Sequence, residues 1–182
     1  MKPVDSGFRI QGEKIYLRPI TAQDTERVLA WRNAPDVVKN FIYREKISRE
    51  EHMDWLENKV FRGAVHQFVI CAADDDTPLG SVYIQNFDEV HRRAEWGLFL
   101  SSEGARSRGI GTETGNLILD YAFGQLGLHK LTSRVLAYNK PCVRMNEKLG
   151  YRQEAYLRDE LFIDGKFEDL ILYGALEGDV RE

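Results

Sequence analysis

The feature that most constrains this chain is the run from Arg93 to Tyr138. It holds a strand-like octet (RAEWGLFL), a polar stretch carrying Arg106-Ser107-Arg108-Gly109-Ile110-Gly111, an apolar stripe at helical spacing, and a second strand-like run, KLTSRVLAY. Ile110, Thr114, Leu117, Ile118, Tyr121 and Ala122 form the stripe, which reads as core packing, and Gly127 is a natural helix stop. A strand, a helix and a strand in that order predict a crossover, so the runs at 93–100 and 130–138 should lie side by side and parallel.

The rest of the chain reads around that unit. The first ten residues look like a loose arm. Lys14–Ile20 alternates as a strand, and Thr21-Ala22-Gln23-Asp24 opens a helix that Pro35 should end. Ser48 and Glu51 are spaced as a capping box at the head of a second helix, with Met53, Leu56 and Val60 on its apolar side. Val65–Ala72 and Gly80–Phe87 are β-rich around an acidic turn. After the crossover comes a short helix, Pro141–Leu149, and then two strands flanking Asp164-Gly165, a strong hairpin signal. The order β α α β β β α β α β β predicts an α/β (α+β) fold with a mostly antiparallel sheet.

Composition narrows the function classes. With 182 residues and neither a repeat nor a linker, residues 1–182 read as a single domain. The 25 Lys and Arg against 29 Asp and Glu give a net charge of −4, which disfavours a nucleic-acid partner. No apolar run approaches a membrane span and no leader is evident, so no membrane partner is expected. Cys71 and Cys142 lie far apart without metal-type spacing, which suits a reduced, cytoplasmic setting and no metal site.

A strand followed by glycines and a helix N-terminus can cradle phosphate, because the glycines allow close backbone approach and the helix offers unpaired N–H groups. By itself Arg-x-x-Gly-x-Gly is weak. It lacks the Gly-Lys-Ser/Thr of a P-loop and the acidic residue of a dinucleotide fold. Together with Asn139-Lys140-Pro141-Cys142 and Glu147-Lys148-Leu149-Gly150-Tyr151, however, it resembles the GNAT N-acetyltransferase superfamily from about Lys14 to Leu176. Within that superfamily the similarity is to the ribosomal-protein N-terminal, spermidine and nucleotide-amino-sugar acetyltransferases. The resemblance implies a twisted, mostly antiparallel sheet flanked by helices on both faces. It also implies an acetyl group moved directly from acetyl-CoA, the donor substrate, to a primary amine on a small molecule or peptide.

The same resemblance supplies candidate site residues. Leu98, Phe99 and Leu100, freed by a bulge, would bind the pantetheine arm and the thioester oxygen through their backbone. Arg106, Ser107, Arg108, Gly109, Ile110, Gly111 and Thr112 would hold the pyrophosphate, with Asn139 and Lys148 completing the cofactor set. Asn139 is also well placed as a helix N-cap. Glu95, in Ala94-Glu95-Trp96-Gly97, is the candidate base or water-orienter; its plainer reading is an ion pair with Arg92 or Arg93. Many relatives have a tyrosine four residues before the last glycine to protonate the departing thiolate, where this chain has Asn146, a hydrogen-bond donor only. Cys142, titrating near pH 8, is the other candidate acid, against the plainer reading of a small buried hydrophobe. Trp31-Arg32-Asn33 with His52 and Trp55 is similar to the amino-sugar enzymes; His52 and Trp55, three apart on one helical face, would line the acceptor pocket, against the plainer reading of a partly buried helix face. The 162–166 hairpin is closer to the spermidine enzymes. A homodimer is the candidate assembly, and a non-catalytic acyl-CoA-binding module is the alternative to an enzyme.

Overall fold

A computed structural model of the chain describes residues 1–101 and 109–179. The strands are β1 (Ile10–Gln11), β2 (Ile15–Pro19), β3 (His66–Ala72), β4 (Pro78–Asp88), β5 (Arg93–Leu100), β6 (Lys130–Leu136), β7 (Arg152–Ile163) and β8 (Lys166–Leu176). The helices are α1 (Thr25–Arg32), α2 (Pro35–Val38), α3 (Arg49–Trp55), α4 (Ile110–Asp120) and α5 (Lys140–Lys148). Helices α3 and α4 each run on into a wider, π-type turn, over Leu56–Val60 and Tyr121–Gln125. No helix among the described residues is long and apolar enough to cross a membrane.

All strands join one sheet in the order β1-β2-β3-β4-β5-β6-β8-β7. Every pair is antiparallel except β5 and β6, the pair joined through α4, as the crossover predicts. Alternation along β3 explains how the sheet is covered. Phe68 and Ile70 face a core shared with Ile118 and Ala122 of the α4 segment and with Leu149, while Val69 and Cys71 face the one shared with Val28, Val37 and Leu56. Helices therefore cover both faces.

Local chemistry sets several boundaries. Ser48 and Glu51 cap α3 reciprocally, and Asn139 Oδ1 accepts from Cys142 N at 3.3 Å at the head of α5. Asp164 and Gly165 both have positive φ, 50° and 82°, the conformation a two-residue hairpin needs. In α4 the first-turn carboxylate of Glu113 accepts from the backbone N–H groups of Glu13, Lys14 and Ile15 at 2.8, 2.8 and 3.3 Å, fastening the β1–β2 turn to this helix.

The N-terminal arm departs from the sequence reading, because it is tied down. The Met1 ammonium pairs with Glu89, and His66 Nε2 meets the Lys2 carbonyl at 2.9 Å. The Phe8 ring packs 6.2 Å from Phe68 and 5.5 Å from Tyr121. Burial of Phe8 and Ile10 against the main core offsets the ordering cost that led the arm to be read as loose. Pro35 also opens the one-turn helix α2 as well as ending α1.

Gly80 is the tightest point beside the cleft. A Cβ there would sit 2.2 Å from the Phe99 carbonyl oxygen, a backbone atom that cannot swing away. Gly80→Ala is expected to destabilise the fold by about 1–3 kcal/mol in urea unfolding. An unchanged midpoint would mean that β4 and β5 separate there at no cost.

Candidate active site

The pairing of β5 with β6 covers three residue pairs, Arg93–Lys130, Ala94–Leu131 and Glu95–Thr132. Both strands continue, β5 to Leu100 and β6 to Leu136, without pairing further. They part into a cleft of about 1360 Å³. On the other side β5 stays in register with β4 from Glu95 to Leu100, without a bulge. The opening at 98–100 thus comes from strands that diverge, a correction to the bulge expected there. Leu98, Phe99 and Leu100 all line the cleft.

The start of α4 closes one end. Gly109 is its N-cap, in the left-handed region at φ 78°, and a Cβ there would meet nothing within 4 Å. The first intrahelical bond runs from Glu113 N to the Gly109 carbonyl, so the N–H groups of Ile110, Gly111 and Thr112 lie outside the helical ladder. Gly109, Gly111 and Thr112 line the cleft, whereas the Ile110 side chain is buried in the core. Arg106, Ser107 and Arg108 lie outside the described residues. An open, glycine-lined helix N-terminus at the mouth of an extended cleft suits a pyrophosphate attached to a narrow arm, as in acetyl-CoA.

From α5, Asn139, Cys142 and Lys148 line the cleft and Asn146 does not. The Asn146 side chain is fully buried; its Nδ2 donates to the Cys142 carbonyl at 2.9 Å and approaches Cys142 Sγ at 3.6 Å. The Asn146 amide, expected to meet the thiolate, is turned inward against the first turns of α5. Cys142 is half-buried, and burial pushes its thiol up to about 11, with the Asn146 contact acting in the opposite direction. That lies above the value near 8 expected of a cysteine at this helix start. At neutral pH the thiol holds its proton tightly.

Glu95 sits where the strands part. Its ion pair is with Arg134 of β6, Nε to Oε2 and Nη2 to Oε1 both at 3.0 Å, not with Arg92 or Arg93. Arg93 bonds Asp88 instead. Sequence separation hid this bidentate bond, because parallel strands joined by a helix bring residues 39 positions apart into contact.

The opposite wall comes from the N-terminal helices. His52 and Trp55 both line the cleft, and Trp55 Nε1 donates to Gln67 Oε1 at 2.9 Å. His52 is buried, with neither ring nitrogen hydrogen-bonded, and burial holds its pKa below the ordinary 6.5. Arg32 is also buried. Its Nη2 donates to the Tyr43 carbonyl at 2.6 Å, its guanidinium lies 3.7 Å over the Phe41 ring, and Nη1 has no partner. Among the described residues no carboxylate pairs with it. Tyr83, a residue that sequence reasoning passed over as a strand aromatic, also lines the cleft.

Residues 14–152 match the family model described as an acetyltransferase (GNAT) domain. The chain is 28% identical over 157 residues to the spermidine N(1)-acetyltransferase of Escherichia coli K12, an alignment covering 86% of this chain and 83% of that one. It is 24% identical over 168 residues to the uncharacterized N-acetyltransferase p20 of Bacillus licheniformis, covering 91% and 94%. Its fold is like that of the spermidine N-acetyltransferase of Vibrio cholerae, solved in complex with CoA and spermine. The TM-score is 0.87 at 23% identity, over 94% of this chain and 100% of the other.

Two predictions come from this geometry. Gly109→Trp should weaken CoA binding at least about tenfold in calorimetry, while the left-handed backbone costs about 1–2 kcal/mol of stability. Gly109→Ala, which has the same strain without the bulk, should bind almost normally; equal CoA affinity in all three proteins would remove this end of α4 as the cradle. For His52, the neutral folded ring competes with an unfolded chain that binds a proton near its ordinary 6.5. Its contribution is therefore complete above about pH 6.5 and lost as pH falls below it. The loss of urea stability between about pH 8 and about pH 5.5 should be smaller in His52→Leu than in the parent. An identical loss would mean that the folded ring is already charged.

Proposed function

The chain belongs to the GNAT acetyltransferase family, and from that premise we propose that it acetylates a primary amine carried by an anionic small molecule, of the nucleotide-linked amino-sugar kind. The reaction itself is the family's: acetyl-CoA is the donor substrate and supplies the acetyl group as a thioester, and the chain is an acetyl-CoA-dependent N-acetyltransferase. This sets aside the alternative of a non-catalytic module.

The observation that carries the acceptor is the buried, carboxylate-free guanidinium of Arg32, whose Nη1 has no partner. Burying a cation without a counter-charge is costly, and an incoming phosphate would relieve that cost with bidentate geometry. His52 adds two unpaired nitrogens to the same wall. Lys and Arg outnumber Glu seven to three among the residues lining the cleft, and these include no Asp. A polyamine would bring further cations into that surplus.

On this reading the diverging β5 backbone at 98–100 takes the pantetheine, and the N–H groups at 109–112, with Arg106, Ser107 and Arg108, take the pyrophosphate. Asn139 and Lys148 flank the arm. Glu95, held in one orientation by Arg134, positions the amine for attack on the thioester carbon. A homodimer remains part of the proposal. β7 ends the sheet with an edge 12 residues long, and one related Vibrio cholerae enzyme has been solved as a dodecamer. The second reading is a polyamine acceptor, favoured by the relatives whose names carry that activity.

Thiol release from acetyl-CoA, measured with a nucleotide-linked amino sugar, with spermidine and with a peptide N-terminus, separates these readings. The amino sugar should be the best acceptor, and Arg32→Gln should raise its KM about tenfold or more while kcat stays within about threefold. Fastest turnover with spermidine, together with an unchanged KM in Arg32→Gln, would decide for the polyamine.

A further inference from the structure

When the C–S bond of the thioester breaks, its electron pair leaves on sulfur, and a proton or strong hydrogen bond is wanted there. The two residues that sequence reasoning offered for this task do not suit it. Asn146 is turned into the interior, and the Cys142 thiol is a weak hydrogen-bond donor whose sulfur lies 3.6 Å from the Asn146 amide nitrogen. Other hydroxyls in the cleft are spoken for, too weak or, for Tyr43, 75% exposed to solvent. Tyr138 donates to the Lys39 carbonyl at 2.6 Å and meets Arg44, while the hydroxyls of Ser133 and Thr112 are far weaker acids than a phenol.

Tyr83 stands apart from these. It pairs across β4 and β5 with Gly97, two residues beyond the last β5–β6 pair. A Cβ on Gly97 would lie 2.5 Å from the Tyr83 hydroxyl oxygen and 2.7 Å from Cζ. The phenol therefore crosses β5 in space that only glycine leaves open, and it reaches the gap between the diverging strands. Its electrostatic neighbours come from both walls: Glu95, Arg134 and Arg32 from the acceptor side and Cys142 from α5. Among the described residues its hydroxyl has no hydrogen-bond partner, although the ring lines the cleft.

We propose that the Tyr83 hydroxyl donates the proton to the departing CoA sulfur. The amine nitrogen forms its bond to the carbonyl carbon as the C–S bond breaks, and Tyr83 passes its proton to sulfur. The phenolate regains a proton from the one shed by the newly acylated nitrogen, through water in the cleft. Net, one N–H proton of the amine ends on the thiol. Burial, then the Glu95 charge, push the phenol up to about 12, so Tyr83 enters each turnover protonated at neutral pH. The inference rests on the acetyltransferase reading and not on the choice of acceptor.

Its test needs no acceptor. At about pH 9.5, where the free thiol is ionised, the parent protein should bind CoA about tenfold tighter than desulfo-CoA, as a hydrogen bond to a charged sulfur implies. In Tyr83→Phe the two affinities should converge, with desulfo-CoA binding unchanged. With the amino sugar or spermidine as probe, kcat of Tyr83→Phe should fall about a hundredfold or more, with KM for acetyl-CoA within about twofold. A CoA preference that survives in Tyr83→Phe, or a kcat within about threefold of the parent, overturns the proposal. Should Tyr83→Phe fail to fold, Tyr83→3-fluorotyrosine keeps the shape and lowers the phenol pKa. The alkaline limb of kcat must then move to lower pH, and a limb that stays in place overturns the proposal equally.

Discussion

The candidate active site exists because a parallel strand pair stops early. Three residue pairs tie β5 to β6, and beyond Glu95 and Thr132 the strands separate while each keeps its outer neighbour, β4 on one side and β8 on the other. Parallel pairing is the less stable kind, and here it joins two otherwise antiparallel halves. Each half is closed by its own hairpins and its own helices. The seam between them is the one place where the sheet can open without breaking an antiparallel ladder. Glu95, in the last pair, and Arg134, two residues past Thr132, are bonded across the seam and hold the strands together just where they begin to part.

The Arg32 wall of the cleft depends on a second electrostatic arrangement, buried and fully paired. Asp24 takes a bidentate bond from Arg18 at 2.8 and 2.7 Å and one from Thr21 N at 2.9 Å. Burial alone would raise its pKa, but these bonds outweigh it and hold the carboxyl below the usual range. This pair fixes the start of α1 against β2, and α1 then carries Arg32 to the cleft two turns later. A satisfied charge at one end of a helix thus supports an unsatisfied one at the other. Such unsatisfied groups gather where a ligand is due, as strain and unpaired polarity do at functional sites.

Much of this was legible in the chain because the decisive signals are local. The capping box at Ser48, the Asp164-Gly165 turn and the helical stripe after Ile110 each specify backbone geometry within a few residues. The crossover rule then converts one strand–helix–strand order into a parallel neighbourhood. What stayed hidden was non-local. Arg134 as the partner of Glu95, the inward turn of Asn146 and the reach of Tyr83 over Gly97 depend on register between distant strands, or on which face of a short helix is buried. Tyr83 in particular carries no signal beyond a strand aromatic opposite a strand glycine. The loose-arm reading failed for a related reason, since Phe8 finds its packing partners, Phe68 and Tyr121, far along the chain.

Helix α4 has one further consequence. Its first turn already serves an anion, for Glu113 lies in the field of the helix N-terminus while its carboxylate accepts three backbone N–H groups from the β1–β2 turn. The Cβ that Gly12 lacks would lie 2.5 Å from that same oxygen, so the approach is close on both sides. On the proposed function, the positive end of α4 is thus shared between a resident negative charge on its sheet side and a visiting one on its cleft side. A visiting phosphate meets a dipole that the protein has partly neutralised in advance. Such a site favours exchange over retention, which suits a carrier molecule that must leave once it has delivered its cargo.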